Sequence, residues 1–174
     1  MPKPKEDWSV ALMDTGIDSK TQKRLFLAKN AIKTDRFMLT YGDGVADINI
    51  SELVRRHEYL RQKHGVLGTI TLHSPRSKFG IVGTDGDLAR EFIEKPHQDK
   101  FVNIGFMLFE KEVFDHIDDS DVMLETSMIP RLAKEGRIGF YHHQGFWGYM
   151  DTYGDYLHLN ELWNRERPWK IWQD

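Results

Sequence analysis

Short apolar runs, each halted by a glycine- or aspartate-containing turn, alternate with helix-period segments along most of this 174-residue chain. That alternation is the signature of strands joined by helices, and it predicts an α/β domain. Trp8 to Met13 and Phe37 to Tyr41 read as strands, stopped by Asp14-Thr15-Gly16 and Gly42-Asp43-Gly44. Ser19 to Ile32 and Ser51 to Lys63 carry apolar residues at helical spacing; Ser51 or Asn49 can cap the second, and Gly65 stops it. Val66 to Leu72 is a further strand, and Phe79 to Val82 with Leu88 to Ile93 reads as an inserted hairpin around Gly83 to Asp87. Phe101 to Phe109 is a strand, with a short helix over Glu110 to Ile117. Leu124 to Lys134 is a helix ended by Gly136, and Arg137 to His142 and Phe146 to Met150 are strands. A helix over Asp151 to Trp163 leads to a tail with Pro168 and two tryptophans. Residues 1–7 read as a lead-in to one domain over residues 8–174.

Composition removes several classes of function. With 24 basic and 27 acidic residues the net charge is −3, so no basic footprint for nucleic acid is present. There is no cysteine, which excludes disulfides and thiolate metal sites. Hydrophobic residues at 40% and charged residues at 29% suit a globular chain with a buried core. No apolar run approaches the ~20 residues of a membrane span, and the first residues lack a signal-peptide stretch. The expectation is a cytoplasmic protein without membrane or nucleic-acid partners.

In an open α/β sheet, ligands bind beyond the carboxyl ends of the strands. Asp43 and Asp151 both fall at such ends. Two carboxylates on adjacent loops can hold one hard divalent ion, with substrate phosphates completing its shell. Gly-Asp-Gly is also an ordinary turn, and an aspartate opening a helix is also an ordinary cap. Glu94-Lys95-Pro96 ends a strand; the lysine suits a phosphate and the glutamate sugar hydroxyls, although a solvated strand end has the same composition. Gly105, in Asn103-Ile104-Gly105, marks either close approach of a ligand or a bulge. The histidines carry less: His57 and His64 are two helical turns apart, and His142 and His143 point to opposite faces. Trp163, Trp169 and Trp172 read as packing or a subunit contact.

Taken in order, five segments resemble the glucose-1-phosphate cytidylyltransferases, within the sugar-phosphate nucleotidyltransferases. They are Trp8-Ser-Val-Ala-Leu-Met-Asp-Thr-Gly16, Phe37-Met-Leu-Thr-Tyr-Gly-Asp-Gly-Val-Ala-Asp47, Phe92-Ile-Glu-Lys-Pro96, Asn103-Ile-Gly-Phe106 and Gly145-Phe-Trp-Gly-Tyr-Met-Asp-Thr152. The ending Pro168-Trp-Lys-Ile-Trp172 is similar too. The resemblance implies a Rossmann-like mixed sheet, magnesium bound by Asp43 and Asp151, and a sugar phosphate bound by Lys95. Glu94, Asn103, Gly105 and Gly42 would line the sugar and substrate pocket. The implied reaction is attack of a sugar-1-phosphate oxygen on the α-phosphorus of CTP, releasing pyrophosphate.

Family members also carry a Gly-Gly-x-Gly-Thr-Arg loop on a first strand, and the 174 residues contain no such segment. Lys20-Thr-Gln-Lys-Arg24 stands where Thr-Gly-Gly-Arg is usual. The expectation is a domain truncated at its N-terminus, with little activity alone. Two other readings are a sugar-phosphate or sugar-nucleotide binding module without catalysis, and half of a split enzyme. Without the first strand, the sheet is expected to fill the gap by homo-oligomerisation, a complementing chain or rearrangement.

Overall fold

The computed structural model describes residues 8–75, 77, 79–94, 96 and 100–172. The elements run α1 (Thr21–Ala28), β1 (Arg36–Leu39), β2 (Gly44–Ala46), α2 (Ile50–His64), β3 (Gly68–His73), β4 (Ile81–Asp85), β5 (Leu88–Ile93) and β6 (Val102–Glu110). Two 3-10 turns follow, Lys111–His116 and Leu124–Thr126. Then come α3 (Met128–Lys134), β7 (Ile138–His142), β8 (Trp147–Tyr149) and α4 (Tyr153–Arg165). The main sheet has the order β1-β6-β3-β7. β6 is antiparallel to both β1 and β3, while β3 and β7 are parallel. This is the α/β class that the alternation of elements predicts, with the mixed sheet that the resemblance implies. β4 and β5 form the inserted hairpin as a separate sheet, and β2 pairs with β8 in a third.

The two faces of the main sheet are covered from different parts of the chain. Phe37 and Phe109 are opposite each other in the β1–β6 ladder, as are Leu39 and Met107, so all four share a face. That face packs on Leu25 of α1, Phe114, Leu124, and Met128 and Leu132 of α3. The Phe37 ring stacks on Phe114 with centroids 5.5 Å apart. The opposite face takes α2, which buries Leu53, His57 and Leu60. Asn49 starts α2 by accepting the Glu52 N–H on its side chain at 3.1 Å, and Gly65 ends it.

Beneath α2, at the end of the sheet where β6 finishes, lies a buried polar cluster. His57, with no exposed side-chain surface, places Nε2 2.8 Å from Glu110 Oε1 and Nδ1 2.8 Å from Thr69 Oγ1. A carboxylate only accepts, so Nε2–H donates to Glu110 and Nδ1 accepts from the Thr69 hydroxyl. Glu110 also meets Arg36 at 2.9 Å and Arg61 at 3.3 Å. These links tie α2 to β1, β3 and β6.

Three local expectations are corrected. Trp8 to Met13 is not a strand. It is irregular and exposed, with Leu12 at 93% accessibility, because no described strand accepts its backbone hydrogen bonds. The first helix is shorter than Ser19 to Ile32. Gly44–Ala46 is a strand, although only its first residue falls in a segment assigned from the sequence, the Gly42-Asp43-Gly44 turn. Among the described residues, β1 pairs with β6 on one side and has no described strand on the other.

Desolvation by burial pushes the His57 pKa below its ordinary 6.5, outweighing the opposing pull of Glu110. The unfolded chain therefore binds this proton more readily than the folded one. Stability is expected to be full above about pH 6.5 and to fall as the pH drops through the lowered folded value. Thermal melting between pH 7.5 and 5 checks the direction, and the His57 ring resonances in an NMR titration assign it.

Candidate functional site

The ribbon made by β2 and β8 is three residue pairs long: Gly44 opposite Tyr149, Val45 opposite Gly148, and Ala46 opposite Trp147. One step beyond its first pair, the Met150 N–H donates to the Asp43 carbonyl at 2.9 Å. This pairing brings together two loops from distant parts of the chain. Asp43 and Asp151 line one cleft of about 260 Å³, with Tyr41, Gly44, Asn103, Ile104, Trp147 and Tyr149. Both carboxylate residues are exposed. Two larger hollows of about 500 Å³ each open elsewhere on the surface, and none of the residues singled out in the sequence lines them.

Each aspartate is positioned by local chemistry. Asp43 leaves β1 through Tyr41 and Gly42, and a Cβ at Gly42 would meet nothing within 4 Å. Asp151 precedes the N-cap of α4. Thr152 accepts the Asp155 N–H on its hydroxyl at 3.2 Å, and the Asp155 carboxylate accepts the Thr152 N–H at 2.9 Å, a reciprocal capping box. The cap is therefore Thr152, which leaves the Asp151 carboxylate outside the capping bonds.

The floor of the cleft comes from β6. Asn103 accepts the Gly105 N–H on its side-chain oxygen at 3.2 Å. Gly105 has φ +80, and a Cβ there would stand 2.6 Å from the Tyr41 ring. Glycine is thus required both by the left-handed backbone and by the ring above it. The Tyr41 hydroxyl donates to Glu125. Trp147 and Tyr149 stand with ring centroids 4.8 Å apart, and the Trp147 indole N–H is buried with no acceptor among the described residues.

Of the residues singled out in the sequence, Asp43, Asn103 and Asp151 line the cleft together. Gly42 adjoins it in sequence, and Gly105 lies beneath Tyr41. Glu94 follows β5 at the base of the hairpin, exposed, and is not among the lining residues. Lys95 lies outside the described residues. Glu125 and the aromatic wall were missed as site residues. Nothing in the spacing of Glu125 signals a contact with Tyr41, 84 positions away.

Among the described residues, no group of three or more His, Asp or Glu side chains is arranged to hold a metal. Two hard carboxylates on one open cleft nevertheless suit an ion such as magnesium, which keeps several waters and takes further oxygens from phosphates.

Residues 10–165 match the Nucleotidyl transferase family. The chain belongs to that family. It is 37% identical over 169 residues to a protein of Bacillus subtilis (strain 168) named a probable glucose-1-phosphate cytidylyltransferase, covering 96% of this chain and 65% of that one. It is likewise 37% identical over 171 residues to a glucose-1-phosphate cytidylyltransferase of Salmonella typhi, covering 97% of this chain and 65% of the relative. The chain thus spans 65% of the length of these curated relatives. A UDP-glucose pyrophosphorylase solved with UDP-glucose aligns at a TM-score of 0.57 and 14% identity, over 88% of this chain and 65% of that one. At that identity the match shows a shared fold. In this member of the family, then, the β2–β8 ribbon and β6 build one cleft from three of the segments singled out in the sequence.

Replacing Gly105 by alanine is expected to displace the Tyr41 ring and strain the backbone, costing about 1–3 kcal/mol. Denaturant unfolding measures the loss, and tyrosine side-chain NMR shifts report the movement of Tyr41.

Proposed function

We propose that this chain is the metal- and sugar-phosphate-binding part of a sugar-1-phosphate nucleotidyltransferase acting on glucose 1-phosphate and CTP. The observation that carries this reading is that Asp43 and Asp151 line one cleft with Asn103, in a chain 37% identical to glucose-1-phosphate cytidylyltransferases. The reaction joins a sugar-1-phosphate oxygen to the α-phosphorus of CTP, and the bond to pyrophosphate breaks. No protein nucleophile is needed. Magnesium held by Asp43 and Asp151 would supply positive charge against the approaching phosphates.

The chain's own residues bind and orient. Asn103 has its oxygen committed to Gly105, and among the described residues its amide nitrogen meets the Met107 sulfur alone, at 3.9 Å, so it retains donor capacity for a sugar hydroxyl. Glu94 accepts hydroxyl hydrogen bonds from the sugar. Lys95 serves as a point charge for its phosphate. The Trp147 and Tyr149 rings present apolar faces to the sugar C–H groups. Rate then comes from holding the two phosphates in line and offsetting their charge.

The 174 residues contain no Gly-Gly-x-Gly-Thr-Arg segment, whose amides would cradle nucleotide phosphates. In this reading the chain by itself binds glucose 1-phosphate in the presence of magnesium and turns over CTP negligibly. The bare edge of β1 is covered by a second copy or by a complementing chain carrying that segment. Calorimetry with glucose 1-phosphate and with CTP, beside a pyrophosphate-release assay, tests the first point. Turnover near that of a full-length relative would overturn it, and CTP binding without turnover would mark a binding module instead. Sedimentation of the purified chain reads its assembly, a lone monomer counting against a homo-oligomer.

Manganese reports on the carboxylates. Asp43→Asn or Asp151→Asn is expected to weaken Mn²⁺ binding, followed by electron paramagnetic resonance, by about tenfold or more, since each removes one of two anionic oxygen ligands. Unchanged affinity in both variants would remove the metal from the proposal.

A further inference from the structure

Between the end of β1 and the start of β2 the chain crosses Thr40 to Asp43 outside any strand. Asp43 runs on directly into the β2–β8 ladder. On its other side stands Gly42, which is exposed and would have nothing within 4 Å of a Cβ. Gly42 brings no side chain to hold the crossing, so the residue that can fix Asp43 from this side is Tyr41.

Tyr41 is held at both ends of its side chain. Its ring packs against the core and lies over Gly105, where a Cβ would stand 2.6 Å from it. Its hydroxyl donates to Glu125 Oε1. The second oxygen of that carboxylate, Oε2, is buried and has no hydrogen-bond partner among the described residues. An acceptor withdrawn from water without a donor costs stability, and an apolar pair of similar shape would avoid that cost. What the carboxylate offers in return is a charge-assisted, directional bond to one hydroxyl. Its use is therefore the placement of Tyr41.

Glu125 can serve as an anchor because its own backbone is gripped. It lies in the 3-10 turn Leu124–Thr126, whose Leu124 is fully buried in the core. The Lys20 N–H donates to the Asp121 side chain at 2.7 Å, and the Gln22 N–H to the Val122 carbonyl at 3.1 Å. The Leu124 N–H donates to the Thr21 hydroxyl at 2.9 Å. The segment Lys20-Thr-Gln-Lys-Arg24, singled out in the sequence, thus clasps the turn that presents Glu125.

We infer that Glu125 is a positioning residue: by accepting the Tyr41 hydroxyl it holds that ring over Gly105 and so sets where Asp43 enters the cleft. This rests on the reading of Asp43 and Asp151 as metal ligands, but it makes its own prediction about the crossing. The test is a cycle of Tyr41→Phe, which removes the hydroxyl and keeps the ring, Glu125→Ala, which removes the acceptor, and the double variant. Two readouts are taken on each: Mn²⁺ affinity, and hydrogen exchange at the Met150 amide, which donates to the Asp43 carbonyl. The Met107 and Leu108 amides in β6 report any general loss of stability.

Each single change is expected to weaken Mn²⁺ binding about tenfold and to speed Met150 exchange about tenfold relative to the β6 amides. Since both side chains act through one bond, the double variant is expected to be no worse than the poorer single one. Losses that multiply in the double variant overturn the anchor, because the two residues then act independently. Equal acceleration of Met150 and the β6 amides overturns it too, by reducing the bond to general stability. Unaltered Mn²⁺ affinity in Tyr41→Phe has the same force, and that milder variant decides by itself if Glu125→Ala does not fold. If the wild-type chain binds no Mn²⁺, the metal reading fails, and Met150 exchange across the cycle alone decides whether Glu125 positions Asp43.

Discussion

The site depends on an antiparallel ladder of three residue pairs. Gly44–Ala46 and Trp147–Tyr149 come from distant parts of the chain, and only their backbone pairing places Asp43 beside Asp151. Both carboxylates are exposed, and among the described residues neither is held in an ion pair that could draw the other in. Their meeting is a consequence of strand register, and a one-residue slip would point the flanking residues to opposite faces. The remainder of the fold can be understood as support for that register.

Support comes from both sides. β6 runs through the middle of the main sheet, contributing Met107 and Phe109 to the core and Asn103 and Ile104 to the cleft. One strand thus couples core packing to the ligand-facing surface. At its other end, Glu110 gathers His57, Arg36 and Arg61 under α2. A buried carboxylate with three partners is costly to disturb, because removing one leaves an uncompensated group in a poor solvent. That cluster fixes the strands at the end remote from the cleft, leaving the open end to be shaped by loops.

The sheet is bare at β1, whose free edge has no described neighbour, and Trp8 to Met13 extends without a strand to pair with. The chain covers 65% of its curated relatives. Val10, Leu12 and Met38 are exposed apolar side chains, and Met38 lies on β1, whose unpaired edge favours association.

Much of this was legible in the residues. The α2 helix announced itself by Leu53 and Leu60 on one face, with Asn49 before it and Gly65 after, because helix periodicity and capping are local. The hairpin, β6 and the α/β class were readable for the same reason, while the mixed sheet followed only from the resemblance. Asp43 and Asp151 could be singled out as acidic residues following strand-like runs. Local pattern failed at Trp8 to Met13, where a strand requires a partner that no local signal supplies, and at Gly44–Ala46, too short to show a period. It could not connect Tyr41 to Glu125, since such contacts depend on how distant segments are brought together. By itself the sequence determined which segments become helix or strand and which side chains have the right chemistry, because those follow from neighbours a few residues apart. Tertiary structure alone decided which of them share a cleft, because that is fixed by hydrogen-bond register between strands distant in the chain.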